Sequence, residues 1–365
     1  MAASQGISLY ELDFPGLESL IQSWGERPYR ARQLWHWLYA HHATGFNEML
    51  NLPQALRQRL QTEAVISSPS IVETAEAGDG ETRKDLLQLQ DGETIETVLM
   101  YYERRRTACI STQVGCPVGC TFCATGQMGF RRNLTVGEIV VQVLHFARVL
   151  SRTQERLTNV VLMGMGEPLL NYDASLAAVR RITAPEGLNI GQRHVTISTV
   201  GVIPGIDRLA DEQGATPDTS LQVTLAVSLH AATDELREQI VPINRQYPLD
   251  SLFAACRRYA ERTGRRITFE WALIHNLNDS IDQAEALIER LSDLPAHVNL
   301  IRLNPTERCQ ARPPERSRVK AFADTLDRHG ISVTVRLRRG IDIGAGCGQL
   351  RQRGERQSGV QSPRT

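Results

Sequence analysis

Apolar residues in the last two-thirds of the chain alternate between the two-residue period of strands and the three-to-four-residue period of helices. Amphipathic stretches such as Val136–Leu150 and Leu249–Thr263 predict helices between the strands. Strands that alternate with helices indicate parallel βαβ units, and six such units predict a partial or full barrel with its chemistry at the carboxyl ends of the strands. The predicted strands are Thr107–Gln113, Asn159–Met163, His194–Thr199, Thr224–Leu229, Ile267–Leu273 and Val298–Leu303, with a seventh at Ile331–Leu337.

The first 75 residues lack this alternation and predict short helices. Asp13 before Pro15 is typical of a helix N-cap, and Pro28 and Pro53 begin two further predicted helices. Aromatic and basic residues alternate in the second helix, which we interpret as the core of a small helical domain rather than as an RNA-stacking face. We therefore predict an all-helical accessory domain over residues 1–75 that contacts RNA through its arginine edge.

Two strand-like segments follow, Lys84–Gln90 and Thr94–Tyr102, on either side of an Asp91-Gly92 turn. They predict a β-hairpin extension over residues 76–103, ahead of a barrel core over residues 104–350. Residues 351–365 are polar and predict a flexible tail. The predicted fold class is α/β, a partial or full barrel of six β/α units that carries the helical domain and the hairpin.

Composition excludes several protein classes. With 41% hydrophobic residues the chain can bury a core, so wholesale disorder is excluded. No run of about 18 apolar residues exists, so no membrane span is expected. The N-terminal sequence MAASQGISLYELDF lacks the basic and apolar regions of a secretory signal, so we expect a cytoplasmic protein.

Charge is balanced overall, with 41 Lys+Arg and 41 Asp+Glu, but it is unevenly distributed. Residues 73–103 are acidic, whereas residues 104–137 contain five arginines and no acid. Arginine suits phosphate contact and base stacking. From charge alone, however, solvated faces and a preference for arginine codons are the favoured interpretation, and contact with phosphates is the alternative.

Three of the seven cysteines, Cys116, Cys120 and Cys123, fall within eight residues, directly after the first predicted barrel strand. Three thiolates on one loop can bind three irons of a [4Fe–4S] cluster and leave the fourth iron open to a substrate. Zinc usually needs four ligands, often from two paired half-sites. No second such pair occurs, and His145 lies on a predicted helix. The spacing therefore favours a cluster over zinc.

This spacing resembles the CxxxCxxC signature of radical S-adenosylmethionine (SAM) enzymes, with Phe122 as the aromatic residue before the last cysteine. The resemblance implies that the open iron binds SAM and that one electron cleaves it to a deoxyadenosyl radical. The segment Gly164–Pro168 ends the second predicted strand, as suits a loop that contacts the SAM amine. By itself this segment is also typical of a glycine turn before a helix.

Motifs along the chain narrow the resemblance. The sequence contains, in order, IETVLM, CISTQVGCPVGCTFCATGQMGF, LMGMGEPLLN, VTISTVG, VSLHA, VPINR, NLIRLNP and AGCGQL. Together they resemble the RlmN-type adenosine methyltransferases of 23S ribosomal RNA and transfer RNA over nearly the whole chain. The resemblance implies a partial (β/α)6 radical SAM barrel, a [4Fe–4S] cluster held by three cysteines, and two SAM molecules per turnover.

The resemblance also implies roles for residues that the pattern alone would assign to packing or to a solvated strand. Cys347 matches the cysteine that is methylated by one SAM and then carries the methylene radical to the base. Cys109 matches the cysteine that resolves the protein–RNA adduct through a transient disulfide, which requires a reactive and accessible thiol. Glu96 matches the proton acceptor. Contacts to SAM are implied for Gly166, Glu167, Ser198, Ser228, Leu229, His230 and Asn304.

The implied substrates are 23S ribosomal RNA and transfer RNA, and the implied electron donor is a protein such as a flavodoxin or ferredoxin. The reactive base must be exposed in a loop or flipped out. Given an RNA substrate, we predict that the arginines that flank the implied site residues hold phosphates, namely Arg104–Arg106, Arg131, Arg132 and the C-terminal arginines. The target carbon stays open at this stage: Gly164–Pro168 favours the C2-methylating branch, whereas Ile301–Asn304 and Gly340–Ile343 favour the related C8-methylating, antibiotic-resistance branch.

Two other functions remain alternatives from the sequence. A radical enzyme that acts on a protein or a small molecule would need the cluster and SAM but neither Cys109 nor Cys347. A non-enzymatic RNA-binding protein with a structural metal would need no SAM.

Overall fold

The structure, a computed structural model, describes residues 6–214, 221–306, 309 and 311–351. The N-terminal region contains helices α1 (Phe14–Ser23), α2 (Tyr29–Tyr39) and α3 (Gln54–Glu63), as the proline positions predict. The Asp13 side chain caps α1 by accepting a hydrogen bond of 2.8 Å from the Gly16 N–H. A short parallel pair of strands, β1 (Ile7–Ser8) and β2 (Ala64–Val65), joins the two ends of this region.

The extension that follows has three antiparallel strands, β3 (Ser70–Glu76), β4 (Thr82–Gln88) and β5 (Thr94–Tyr101). The last two are the predicted hairpin. The first was not predicted. The prediction of an all-helical region up to residue 75 is wrong for residues 70–75, which lie in β3, and for the short strands β1 and β2. The reason is that β3 lies at the edge of the sheet with nearly all its residues exposed, so no buried face imposes an alternating pattern.

The central sheet has ten strands among the described residues, and seven of them run parallel. Strand β5 pairs antiparallel with the first barrel strand, so the extension and the barrel share one sheet. All seven predicted barrel strands are present, which confirms the α/β barrel prediction. They are β6 (Arg106–Cys109), β9 (Asn159–Leu162), β10 (Val195–Thr199), β11 (Thr224–Ser228), β12 (Ile267–Leu273), β13 (Ala296–Arg302) and β14 (Ser332–Val335).

The predicted strand Thr107–Gln113 is shorter than expected, because the chain leaves the sheet after Cys109. Residues Gln113–Gly115 form β7, which pairs antiparallel with β8 (Phe130–Asn133) in a separate ribbon. This ribbon brackets the loop that contains the three spaced cysteines.

Helices cover the outer face of the sheet. Helix α5 (Val136–Ser151) begins with a capping box, in which the side chains of Thr135 and Glu138 each accept a hydrogen bond from the other's backbone N–H. Apolar side chains between the sheet and the helices form one continuous core, whose fully buried members include Ile197, Leu225 and Phe269. The helices are α4 (Ala124–Gln127), α5 (Val136–Ser151), α6 (Tyr172–Thr183), α7 (Ile203–Gln213), α8 (Asp234–Ile240), α9 (Leu249–Thr263), α10 (Ile281–Leu291) and α11 (Arg316–Arg328).

Within the described ranges, none of these helices is both long enough and apolar enough to span a bilayer. The predicted tail lies outside the described residues, except for Arg351.

Candidate active site

A cavity, here called the strand-end cavity, lies at the carboxyl ends of the barrel strands. The loops after successive strands converge there because parallel strands end at the same edge of the sheet. Most of the predicted site residues line this cavity, although they are separated by more than 200 positions in sequence. They are Cys116, Cys120, Cys123, Gly166, Glu167, Ser198, Ser228, His230, Asn304 and Cys347.

The three cysteines lie on the loop between β7 and α4. Gly115, with φ of 75°, begins the loop, and an added Cβ there would lie 1.9 Å from the carbonyl oxygen of Gly129. Only glycine permits this close approach. The Cys116 N–H donates to the same Gly129 oxygen at 2.9 Å, and the Cys123 N–H donates to the Cys120 carbonyl at 3.2 Å. The loop is therefore fixed by its own backbone.

The cysteine thiols fit a cluster better than a single metal ion. Among the described residues, no three His, Cys, Asp or Glu side chains converge as the ligands of one ion would. A cubane cluster has a different requirement, since each thiolate binds a separate iron. Burial raises the pKa of Cys116 to about 12 and that of Cys120 well above its usual value. The thiolates therefore need positive charge close by, which cluster irons would supply.

The glycine-rich segment after β9 packs directly on the strand that precedes the cysteine loop. Gly166 has φ of 104°, and a Cβ there would lie 2.6 Å from the Gln113 side chain. The Glu167 carboxylate accepts hydrogen bonds from the N–H groups of Leu169 at 3.0 Å and Val200 at 2.8 Å. Burial raises the pKa of Glu167 to about 7. Glu167 thus ties the loop after β9 to the loop after β10.

The residues at the ends of β10 and β11 form the floor of the cavity. The Ser198 and Ser228 hydroxyl oxygens lie 3.5 Å apart. His230 has a left-handed backbone, with φ of 65°, and its Nδ1 accepts from the Ala272 N–H at 3.0 Å. Burial lowers its pKa to about 3, so the imidazole is neutral. The Leu229 side chain is fully buried and does not reach the cavity surface.

A second space, here called the thiol cavity, lies beside the first. Cys109 and Cys347 both line it, and both are free thiols. Cys347 and Arg336 line the strand-end cavity as well, so the two cavities are adjoining. Burial raises the pKa of the Cys109 thiol to about 12 and also raises the pKa of the Cys347 thiol. The positive charge of the Arg336 guanidinium partly offsets this by lowering both pKa values.

Asn304 holds the loop that carries Cys347. Its Nδ2 donates to the Cys347 carbonyl at 3.1 Å, and its Oδ1 accepts from Arg338 Nε at 3.0 Å. Both polar atoms of this amide are thus engaged within the protein.

Glu96 lies behind this loop rather than on a cavity wall, as far as the described residues show. It is 1% exposed and forms an ion pair of 2.9 Å with Lys84 from the neighbouring strand. Its other oxygen accepts from the Arg351 N–H at 2.8 Å. The structure therefore places Glu96 next to the Cys347 loop but in contact with Lys84.

Arg237 is a site residue that the sequence reasoning missed. Its side chain is fully buried under the cavity floor. The guanidinium donates to the carbonyls of Val200, Ser228 and Leu229 and to the Asn244 side chain. It therefore fixes the loops after β10 and β11. The surrounding sequence, TDELREQI, has the pattern of an exposed helix, so nothing in its periodicity indicates burial.

Several predicted phosphate-binding arginines already have acidic partners. Arg132 bonds Asp91 at 2.6 Å and Glu138 at 2.7 Å. Arg106 forms a paired contact with Glu155. For Arg132 and Arg106 the structure thus shows a role in joining elements of the protein. His145, which the sequence reasoning set aside as a zinc ligand, bonds Asp85 at 2.7 Å.

Family models match two parts of the chain. Residues 7–66 match the model of the ribosomal RNA large subunit methyltransferase N-terminal domain, and residues 110–291 match that of the radical SAM superfamily. The first match covers most of the helical region, and the second contains the three-cysteine loop.

Whole-length relatives agree with these models. The chain is 49% identical to dual-specificity RNA methyltransferase RlmN 1 of Myxococcus xanthus, over 98% of each chain. It is 47% identical to a probable dual-specificity RNA methyltransferase RlmN of Pelotomaculum thermopropionicum, over 95% of this chain and 92% of that one. A crystal structure of a radical SAM methyltransferase from Sphaerobacter thermophilus superimposes with a TM-score of 0.90 at 49% identity, covering 94% of this chain and 99% of that one.

Proposed function

Since the chain belongs to the RlmN family of radical SAM RNA methyltransferases, we propose that it methylates C2 of an adenosine in 23S ribosomal RNA and of an adenosine in transfer RNA. We propose further that the methyl group passes through Cys347. The observation that carries the proposal is that Cys109 and Cys347, 238 positions apart, line one cavity that adjoins the three-cysteine loop.

The two cavities have different roles in the proposed reaction, and the strand-end cavity would hold the cluster and SAM. Cys116, Cys120 and Cys123 would hold a [4Fe–4S] cluster at the strand-end cavity, where Gly166, Glu167, Ser198, Ser228, His230 and Asn304 would orient SAM. When bound, the cluster supplies the electron that cleaves SAM homolytically. Leu229 acts only from the core, by holding the chain between Ser228 and His230 in place.

Cys347 attacks the methyl carbon of SAM as a thiolate, which displaces the neutral thioether and leaves an S-methyl group on the protein. The nearby Arg336 guanidinium favours that thiolate. The adenine enters through the thiol cavity, because Cys347 lines both cavities. The deoxyadenosyl radical from a second SAM takes one hydrogen atom from the S-methyl group, and the resulting carbon radical bonds to C2 of the adenine. The adduct then loses the C2 proton to a base, the role that the family resemblance implies for Glu96, and gives one electron back to the cluster.

The Cys109 thiolate attacks the sulfur of Cys347, so that a disulfide forms and the carbon–sulfur bond breaks. The released methylene carbon takes up a proton to become the methyl group, and an external dithiol later reduces the disulfide.

RNA reaches this site through an arginine-rich rim on the thiol cavity. Arg105, Arg338 and Arg339 line its opening, and the Arg105 and Arg339 guanidinium groups stack on the Tyr102 ring at 4.7 and 4.5 Å. We assign phosphate binding to Arg105 and Arg338, which have no acidic partner among the described residues. Arg339 pairs with Glu81, just as Arg106 and Arg132 pair with acidic residues, and is therefore not assigned this role. A flavodoxin or ferredoxin would deliver the electron, and the free thiols suit the reducing cytoplasm.

The test uses anaerobically reconstituted enzyme, SAM, a reductant, and fragments of 23S ribosomal RNA or transfer RNA. We expect mass spectrometry of the nucleosides to show methylation at adenine C2. Methylation at C8 would refute the assignment of the carbon, and no methylation of either RNA would refute the RNA substrate.

The role of the two cysteines has its own test. Cys109→Ala should accumulate a covalent protein–RNA adduct through Cys347, because no thiol remains to resolve it. Cys256→Ala is the matched control, since Cys256 is fully buried in α9 and should leave turnover unchanged. A Cys109→Ala enzyme that retains its cluster and cleaves SAM but forms no adduct would contradict the proposed route.

A further inference from the structure

Lys84 is an unusual residue in this chain. Only two of its 41 Lys and Arg residues are lysines, and Lys84 is 5% exposed, whereas Lys320 is on the surface. The Lys84 ammonium lies 2.9 Å from Glu96 Oε1 and 3.1 Å from the Gly344 carbonyl oxygen. Burial of an unpaired ammonium is strongly unfavourable, so Lys84 depends on these two partners. A charge buried at this cost indicates a specific structural role.

The two members of this ion pair hold the Cys347 loop, residues 340–351, on both sides of the cysteine. Lys84 binds the Gly344 carbonyl, three residues before Cys347. Glu96 binds the Arg351 N–H at 2.8 Å, four residues after it. One carboxylate and one ammonium, bonded to each other, therefore fix both flanks of the loop to strands β4 and β5.

Other contacts of the loop lead to the barrel or to the surface, and Gly340 at its start packs against Thr82 of β4. The Gly348 carbonyl accepts from the Ala124 N–H at 2.7 Å, and the Leu350 carbonyl accepts from the Thr125 hydroxyl at 2.6 Å. A contact to the extension, from the Gly78 N–H to Asp342, involves exposed groups. Among the described residues, the Lys84–Glu96 pair is thus a buried, charged link between the extension and the loop.

We propose that Lys84 is a positioning residue, and that the Lys84–Glu96 pair is a latch that sets the position of Cys347 relative to the two cavities. This inference rests on the proposed function for its catalytic meaning, but the latch itself is a physical property of the chain. A lysine suits the position because its compact ammonium can direct donors to a carboxylate and a carbonyl on different sides, whereas the planar arginine fork favours a single bidentate partner.

Hydrogen–deuterium exchange of the whole chain tests the latch without requiring turnover. In Lys84→Met the peptide spanning residues 340–351 should exchange at least about tenfold faster than in the wild type, because charged hydrogen bonds that hold the loop are lost. The peptides of β4 and β5 should keep their protection. Lys84→Met should also lower kcat with little change in KM for RNA, since the thiol is displaced while the arginine rim is intact.

Two further variants keep the test decisive. Arg83→Met is the matched control: it removes a cation from the adjacent position, but Arg83 pairs with Asp85 and does not touch the loop, so loop exchange should be unchanged. The double variant Lys84→Met/Glu96→Leu removes both charges together and so leaves no buried charge unpaired. It should release the loop with the extension still protected, even if Lys84→Met alone fails to fold.

Unchanged loop exchange in Lys84→Met or in the double variant would overturn the proposal, and so would equal acceleration in Arg83→Met. If loop exchange is faster in Lys84→Met and in the double variant than in the wild type, but the wild type methylates no RNA, the proposed function fails while the latch stands.

Discussion

Replacement of Arg237 by methionine should destabilise the whole barrel, because its guanidinium satisfies four acceptors below the site. Two of these acceptors, the Leu229 carbonyl and the Asn244 side chain, belong to fully buried residues. The other two, the carbonyls of Val200 and Ser228, belong to residues on the cavity wall that water can reach. A methionine side chain would approximate the volume of the arginine stem but could not donate a hydrogen bond.

The expected loss follows from the two acceptors that water cannot reach. A buried acceptor left without a partner costs about 1–3 kcal/mol, so two cost about 4 kcal/mol. For a chain of this length, a loss of that size lowers Tm by about 5 °C. Burial of the Arg237 cation is itself unfavourable, as its pKa, lowered to about 10, indicates. The substitution removes this unfavourable burial, so the loss of stability is not larger.

Thermal unfolding followed by circular dichroism measures this loss. Arg245→Met is the control, because Arg245 is a nearby exposed residue whose contact with Glu238 spans 3.7 Å. It should change stability by less than about 1 kcal/mol. If Arg237→Met melted within about 1 °C of the wild type, the reasoning that these acceptors depend on the guanidinium would be refuted.

Two further predictions concern backbone and pH. Gly115→Ala should abolish retention of iron and sulfide after anaerobic reconstitution, because the new Cβ would lie 1.9 Å from the Gly129 carbonyl oxygen. Gly119→Ala is the control: Gly119 also has a positive φ, 72°, but open space around it, so this variant should retain most of the iron. Equal retention by the two variants would contradict the steric argument. Burial and the Arg148 charge lower the pKa of His42 in the folded protein to about 4. In the unfolded chain the pKa of histidine is about 6.5, so between about pH 6.5 and pH 4 the unfolded chain binds a proton that the folded protein does not. The stability of the folded protein therefore falls as the pH drops from about 6.5 to about 4. His42→Asn, which tolerates the local φ of 55°, should lose less Tm than the wild type between about pH 7 and pH 5, and parallel curves would disprove the assignment.

The sequence predicted the elements that depend on local patterns. The seven barrel strands and the hairpin were identified because burial of one or both faces imposes a periodicity that is visible in the residues themselves. Strand β3 was missed because it lies at an exposed edge, where no such periodicity is required. The break after Cys109 was missed because the close approach of Gly115 to Gly129 joins residues 14 positions apart.

The site was also predicted only in part, because local patterns identify residue types but not the contacts that those residues make in the folded chain. Cysteine spacing and ordered motifs indicated which residues belong to the site, and ten of the implied residues do line one cavity. The motifs could not show that Leu229 is a core residue or that Glu96 is engaged by Lys84. Nor did they indicate Arg237, whose neighbours in sequence resemble those of an exposed helix.

By itself, then, the sequence determined the order of the barrel strands and helices, the three-thiol loop and the family, because these depend on residue types at short spacing. The tertiary structure decided which charges are buried and which arginines have acidic partners. Those properties arise from contacts such as that of Lys84 with Gly344, 260 positions apart, which form only when the extension and the barrel join in one sheet.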